Sequence, residues 1–138
     1  MAVYRPQFVR QRKRRRSRWV STKASSLAAG TASFVSSGPA VINVTATDAT
    51  GGTPAYTYQW QRNSNGGSYS NISGIGVTGD TTRTLSDGTV TPGTLYGYKL
   101  VYTDSAAGTV TSNAVTAQAY TGGALTSGGY SRGRLVNA

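Results

Sequence analysis

Apolar and polar residues alternate over short stretches between residues 40 and 119, and glycine-rich breaks interrupt the alternation. Residues 40–47 are rich in β-branched side chains, and Ile42, Val44 and Ala46 fall on one face of an extended strand. Residues 48–54, with Gly51, Gly52 and Pro54, form a loop. A clean period of two follows over residues 55–61: Tyr56, Tyr58 and Trp60 point one way, and Thr57, Gln59 and Gln61 the other. Residues 63–67, with Asn65 followed by Gly66, carry the signature of a turn joining antiparallel strands.

Residues 68–72 form a short edge strand, and Gly74, Gly76 and Gly79 make the next stretch a loop. Residues 81–85 are a further short strand, closed by Asp87 and Gly88. Residues 94–103 carry Tyr96, Tyr98, Leu100 and Tyr102 on one face and Val101 on the other. A turn at residues 104–108 leads into a last long strand, or pair of strands, over residues 109–119. No window holds a helical period. Six or seven short strands with frequent turns predict an all-β sandwich.

Composition narrows the chemistry. The 138 residues include no Cys and no His, and the only carboxylate side chains are four Asp. Disulfides, thiolate zinc sites and histidine acid–base catalysis are therefore excluded. No Ser–Lys pair, paired carboxylates, phosphate loop or dinucleotide fingerprint stands in their place, so the expectation is a non-enzyme with no cofactor and no metal. The four Asp lie singly in different loops, without a calcium-loop arrangement, and read as surface turn residues. No stretch is apolar enough to cross a membrane as a helix, and residues 25–37 are too interrupted for a signal peptide.

Charge divides the chain into parts. The net charge is +10, yet residues 1–23 alone carry nine positive groups and no acid: Arg5, Arg10, Arg12, Lys13, Arg14, Arg15, Arg16, Arg18 and Lys23. Residues 24–119 carry Arg62, Arg83 and Lys99 against Asp48, Asp80, Asp87 and Asp104, three minus four, a net of −1. The parts are residues 1–37, a basic extended arm with its linker; residues 38–119, the sandwich; and residues 120–138, a Gly- and Ser-rich flexible tail with Tyr130, Leu135 and Val136 as small anchors. An arginine run attracts phosphate or carboxylate surfaces, and arginine's planar donors suit both. Tyr4, Phe8 and Trp19 among the charges add apolar anchors that a plain solvated tail lacks. Packaged nucleic acid, the surface of a protein shell, and solvent alone are the three environments this arm fits.

Residues 38–119 resemble the immunoglobulin-like domains of bacterial surface proteins and phage virion proteins. The likeness lies in Tyr58-Gln-Trp60, in the stretch from Gly97 to Asp104 and in the stretch from Ala107 to Val115. It implies an immunoglobulin-like β-sandwich with Trp60 buried between the sheets, Tyr98 as the tyrosine corner, and Leu100 where a cysteine often stands, facing Val44 or Ala46. Val44, Trp60, Tyr98 and Leu100 are thus the expected fold core. Tyr56, Tyr58, Tyr98 and Tyr102 fill that core and its rim, with hydroxyls reaching water, in preference to lining a glycan or peptide site. The resemblance also implies a structural protein of a tailed-phage virion: a capsid decoration or cement protein, or a vertex-associated part. Its partners would be shell or other virion subunits and further copies of itself. Two rivals stand beside it, a shell component whose arm faces the packaged genome and a stand-alone adhesion or glycan-binding module.

Overall fold

The computed structural model describes residues 2–3 and 25–121. Nine strands follow in chain order: β1 (Ala32–Gly38), β2 (Val41–Ala46), β3 (Thr57–Ser64), β4 (Ser70–Asn71), β5 (Val77–Thr78), β6 (Thr84–Asp87), β7 (Leu95–Thr103), β8 (Thr109–Thr111) and β9 (Val115–Gln118). They form two antiparallel sheets. One has the order β1-β2-β6-β5; in the other β4-β3-β7 is completed by β8 and β9, which share the far edge of β7. This is the strand order of an immunoglobulin-like sandwich, with an added short strand beside β3.

The alternation read from the sequence is what closes the two layers. In β2, Ile42, Val44 and Ala46 are buried while their neighbours are half-exposed. In β7, Tyr96, Tyr98, Leu100 and Tyr102 are buried on one face. Trp60 of β3 lies opposite Leu100 in register and is fully enclosed. Leu85, Ile72, Val90 and Ala117 complete the same cluster. A buried Trp or Tyr removes about 150–250 Å² from water, an upper bound of about 4–6 kcal/mol each. Trp60, Tyr98 and Tyr102 therefore dominate a core otherwise short of large aliphatics. The indole N–H of Trp60 donates to the Thr82 carbonyl at 2.8 Å, so burial leaves no orphan donor.

Two boundaries differ from the sequence reading, and one left open is settled. The sandwich does not begin at Gly38, because β1 already pairs with β2 from Ala32↔Ala46 to Gly38↔Val41. Its Ser, Ala and Gly content resembles a linker, but Ala32 packs into the core, and the side chain of Asn113 pairs with both its backbone groups (Ala32 N–H to Oδ1 2.8 Å, Nδ2–H to the Ala32 carbonyl 3.0 Å). Asn113 thus stands in for a strand partner and ties the edge of one sheet to the other. The glycine-rich stretch also yields a strand, since β5 pairs with β6 between Gly76 and Gly79. Of the two options for residues 109–119, the pair of strands is the one that forms. Ser112 separates β8 from β9 by turning its hydroxyl to accept from the Leu100 N–H at 2.9 Å.

The turn at Asn65 and Gly66 matches its signature. Both residues are left-handed (φ 48° and 76°), and the Gly67 N–H closes the turn on the Ser64 carbonyl at 3.0 Å.

Candidate functional site

The nine basic residues of the arm, Arg5, Arg10, Arg12, Lys13, Arg14, Arg15, Arg16, Arg18 and Lys23, and its anchors Tyr4, Phe8 and Trp19 lie outside the described residues. So do Tyr130, Leu135 and Val136 of the tail. What the structure does fix is where these segments join the sandwich. The Ser25 carbonyl accepts from the Gly52 N–H at 2.6 Å, and Ala28 bridges Thr50. Gly51 and Gly52 adopt left-handed φ of 69° and 61°, and a Cβ on Gly51 would strike the Ser26 backbone. The incoming chain is thus seated on the β2–β3 loop, at the end where β7 finishes and β8 begins. At the other end the Tyr120 N–H donates to the Gly38 carbonyl at 3.4 Å, and Tyr120 bridges Pro39. Arm and tail depart from opposite ends of the sandwich.

The four expected core residues are all at their places: Val44, Trp60, Tyr98 and Leu100 are each fully buried in one cluster. The tyrosine hydroxyls do not simply reach water. Tyr102 donates to the Thr47 carbonyl at 2.8 Å, Tyr56 to the Gly51 carbonyl at 2.6 Å, and Tyr58 to Asp48 at 3.0 Å. Each ties the core to the β2–β3 loop. The corner bond to backbone is made by Tyr96, whose hydroxyl accepts from the Thr91 N–H at 2.9 Å. Tyr98, expected in that role, instead donates to Asp87 at 2.8 Å.

Asp87 departs furthest from its sequence reading as a surface turn residue. It lies inside β6, fully buried. Its Oδ2 accepts from Arg62 Nη1 at 2.7 Å and from Tyr98; its Oδ1 accepts from the Thr89 N–H at 2.9 Å and the Thr89 hydroxyl at 2.7 Å. Four bonds fill the acceptor capacity of a carboxylate. Burial alone would raise its pKa, but the hydrogen bonds from Thr89, Arg62 and Tyr98 outweigh it and hold the carboxyl below its ordinary value. Burial and the adjacent carboxylate push the Tyr98 phenol well above its usual range. Asp87 belongs to one sheet and Arg62 and Tyr98 to the other, so the cluster is a charged tie between layers in a fold that has no cysteine. Its acid is saturated and its phenol stays protonated, which leaves no nucleophile or proton acceptor for chemistry.

Among the described residues no three metal-ligating side chains come together. A concave region does open beside the tie. Arg62, Asn63, Ser64, Asn65, Ser68, Ser70, Thr94 and Tyr96 line a polar cleft of about 430 Å³ at the end of the sandwich away from Ser25.

No family model matches the chain, and no curated protein matches it. Among solved structures, the chain is similar to a β-1,2-glucanase from Parabacteroides distasonis. The two superpose with a TM-score of 0.53 and 18% identity over 70% of this chain and 13% of that chain. At that identity the likeness concerns the sandwich fold alone, and it falls on a small part of the enzyme.

Proposed function

We propose that the chain is a non-catalytic structural protein of a phage virion, an immunoglobulin-like module fastened to the particle by its basic arm. The observation that carries this reading is the separation of charge from fold: nine positive groups precede residue 24, while residues 24–119 sum to −1. A sandwich that used its own surface to hold nucleic acid would carry a basic stripe there. The described surface has only Arg62, Arg83 and Lys99, of which Arg62 and Arg83 are paired with Asp87 and Asp48. Attachment therefore falls to the arm, with shell subunits as its partners and the virion as its place. The join at Ser25 supports this geometry, because it lies at the end of the sandwich opposite the one where the described chain reaches Tyr120.

Deletion of residues 1–23 tests the reading. Circular dichroism is expected to show a folded sandwich, and co-sedimentation to show that it no longer joins the particle; stoichiometric binding by the shortened chain would overturn the proposal. The same pair of proteins, titrated with duplex DNA and RNA at two salt concentrations, separates the two faces of a shell. Arm-dependent binding with a steep salt slope favours an arm turned to the packaged genome. Weak binding near physiological salt favours a decoration protein held by protein–protein contacts.

A further inference from the structure

We propose that the cleft between the β3–β4 turn and the start of β7 is a binding site for an uncharged saccharide unit. The inference rests on the cleft alone and is independent of what the arm holds.

Its walls are fixed before any ligand arrives. Arg62 is held by Asp87 and by the Thr89 hydroxyl at 2.7 Å, and its guanidinium lies 5.1 Å over the Tyr96 ring. Asn63 accepts from the Gly97 N–H at 2.8 Å and donates to the Gly67 carbonyl at 2.9 Å. Asn65 sits in the left-handed turn, exchanging bonds with Leu95: its N–H donates to the Leu95 carbonyl at 2.7 Å, and its Oδ1 accepts from the Leu95 N–H at 3.3 Å. Arg62, Asn63 and the Asn65 turn are thus ordered in advance, which lowers a cost that binding would otherwise carry.

Several polar groups on the lining residues have no hydrogen-bond partner among the described residues: Nε and Nη2 of Arg62, Nδ2 of Asn65, and the hydroxyls of the exposed Ser64, Ser68 and Ser70. Rigid donors mixed with hydroxyls that both donate and accept match the vicinal hydroxyls of a sugar. The charge state selects against ions. Arg62 is the only charged residue in the lining, and its charge is met by Asp87 2.7 Å away. A carboxylate or phosphate would find no net positive field, while a neutral polyol needs none. Its volume falls within the range of about 300–1,000 Å³ of small-molecule sites, and its lining is polar where most such sites are apolar, which suits a polyol over an apolar ligand.

The test is a heteronuclear NMR titration of the full-length chain with a panel of neutral mono- and disaccharides, alongside glucuronate and inorganic phosphate. At least one neutral sugar is expected to give saturable shifts at residues 62–70 and 94–96, with a Kd of about 1–10 mM. Ser68→Trp, at an exposed position on the rim, fills the cleft and is expected to weaken that binding at least about tenfold. Asn65→Gly keeps the left-handed turn and removes the amide, so it reads the site even if the bulkier variant disturbs the loop; a several-fold loss is expected. Absence of saturable shifts with every neutral sugar overturns the proposal. So do shifts that map elsewhere, shifts unchanged in both variants, and tighter binding of glucuronate or phosphate than of any neutral sugar. Particle binding is measured separately, so failure of either proposal leaves the other standing.

Discussion

Two aspartates lie toward opposite ends of the sandwich, and both are buried. Asp104 takes its bonds from backbone alone: the N–H groups of Ala106 (3.1 Å) and Gly108 (2.7 Å) in its own turn, and that of Thr53 (2.9 Å) in the β2–β3 loop. Asp87 takes one backbone bond and three from side chains, two of them across the gap between sheets. The first arrangement shapes loops, since neutral dipoles converge on a charge at the edge of solvent. The second holds layers together, because removing the acid leaves a guanidinium and a phenol that were placed to meet it. A small core without disulfides keeps its sheets in register partly through such a tie, and the asymmetry between the two acids can be broken by substitution.

The largest effect is expected from Asp87→Ala. Breaking a buried ion pair by removing one partner costs about 3–5 kcal/mol. Arg62 keeps 28% side-chain exposure and can recover some hydration, which places the expectation near about 3 kcal/mol. For a domain of this size that lowers the Tm by more than about 10 °C, as differential scanning calorimetry would show. A loss under about 1 kcal/mol would mean that hydrophobic packing alone holds the sheets and that the tie is incidental.

Tyr98→Phe sharpens the same comparison, since it removes one bond to Asp87 and leaves the ring in the core. Asp87 keeps Arg62 and both Thr89 donors, so the expected cost is about 1–2 kcal/mol. Combined with Asp87→Ala in a double-mutant cycle, most of the Tyr98 effect should vanish. Additive losses would show that the phenol acts through packing instead.

The contrast between the acids also marks how far the sequence could be read. The period-two stretches of β2, β3 and β7 and the Asn65-Gly66 turn were legible, because burial on one face and left-handed turn geometry leave direct marks on residue order. The resemblance to immunoglobulin-like domains, laid over that patterning, is what implied Val44, Trp60, Tyr98 and Leu100 as the core. The Asp87 tie was not legible. An Asp before Gly88 looks like a turn residue, and only the pairing of β6 with β2 and the facing of β3 and β7 bring Arg62 and Tyr98 to it. The strand β1 was hidden for a related reason: Ser and Gly dominate it, and its pairing is completed by Asn113, 81 residues away from Ala32. The cleft joins residues from the β3–β4 turn with Thr94 and Tyr96, a neighbourhood made by topology and not by spacing.

The smallest effect at neutral pH belongs to Asp104→Asn, and acid makes it informative. Backbone N–H bonds from Thr53, Gly108 and Ala106 hold the Asp104 carboxyl below its ordinary value, and Asp87 is depressed as well. With folded pKa values below the reference of 3.8, the unfolded chain binds more protons than the folded one as pH falls. Both acids therefore contribute stability that is present above the unfolded pKa and lost as pH drops through the folded values. Asp104→Asn keeps one oxygen for Ala106 and Gly108 and loses the bond from Thr53. Water at the edge of the sandwich can then serve the Thr53 N–H, so the neutral-pH loss should be smaller than that of Tyr98→Phe. The substitution also removes one of these two depressed carboxyls, and urea unfolding followed between about pH 5 and pH 2 should show a shallower decline in stability than the unmodified chain. The slope that remains reports Asp87. Profiles that superimpose would show that the backbone donors do not hold the Asp104 charge, whereas a flat profile in the variant would assign the whole acid response to the loop and none to the tie.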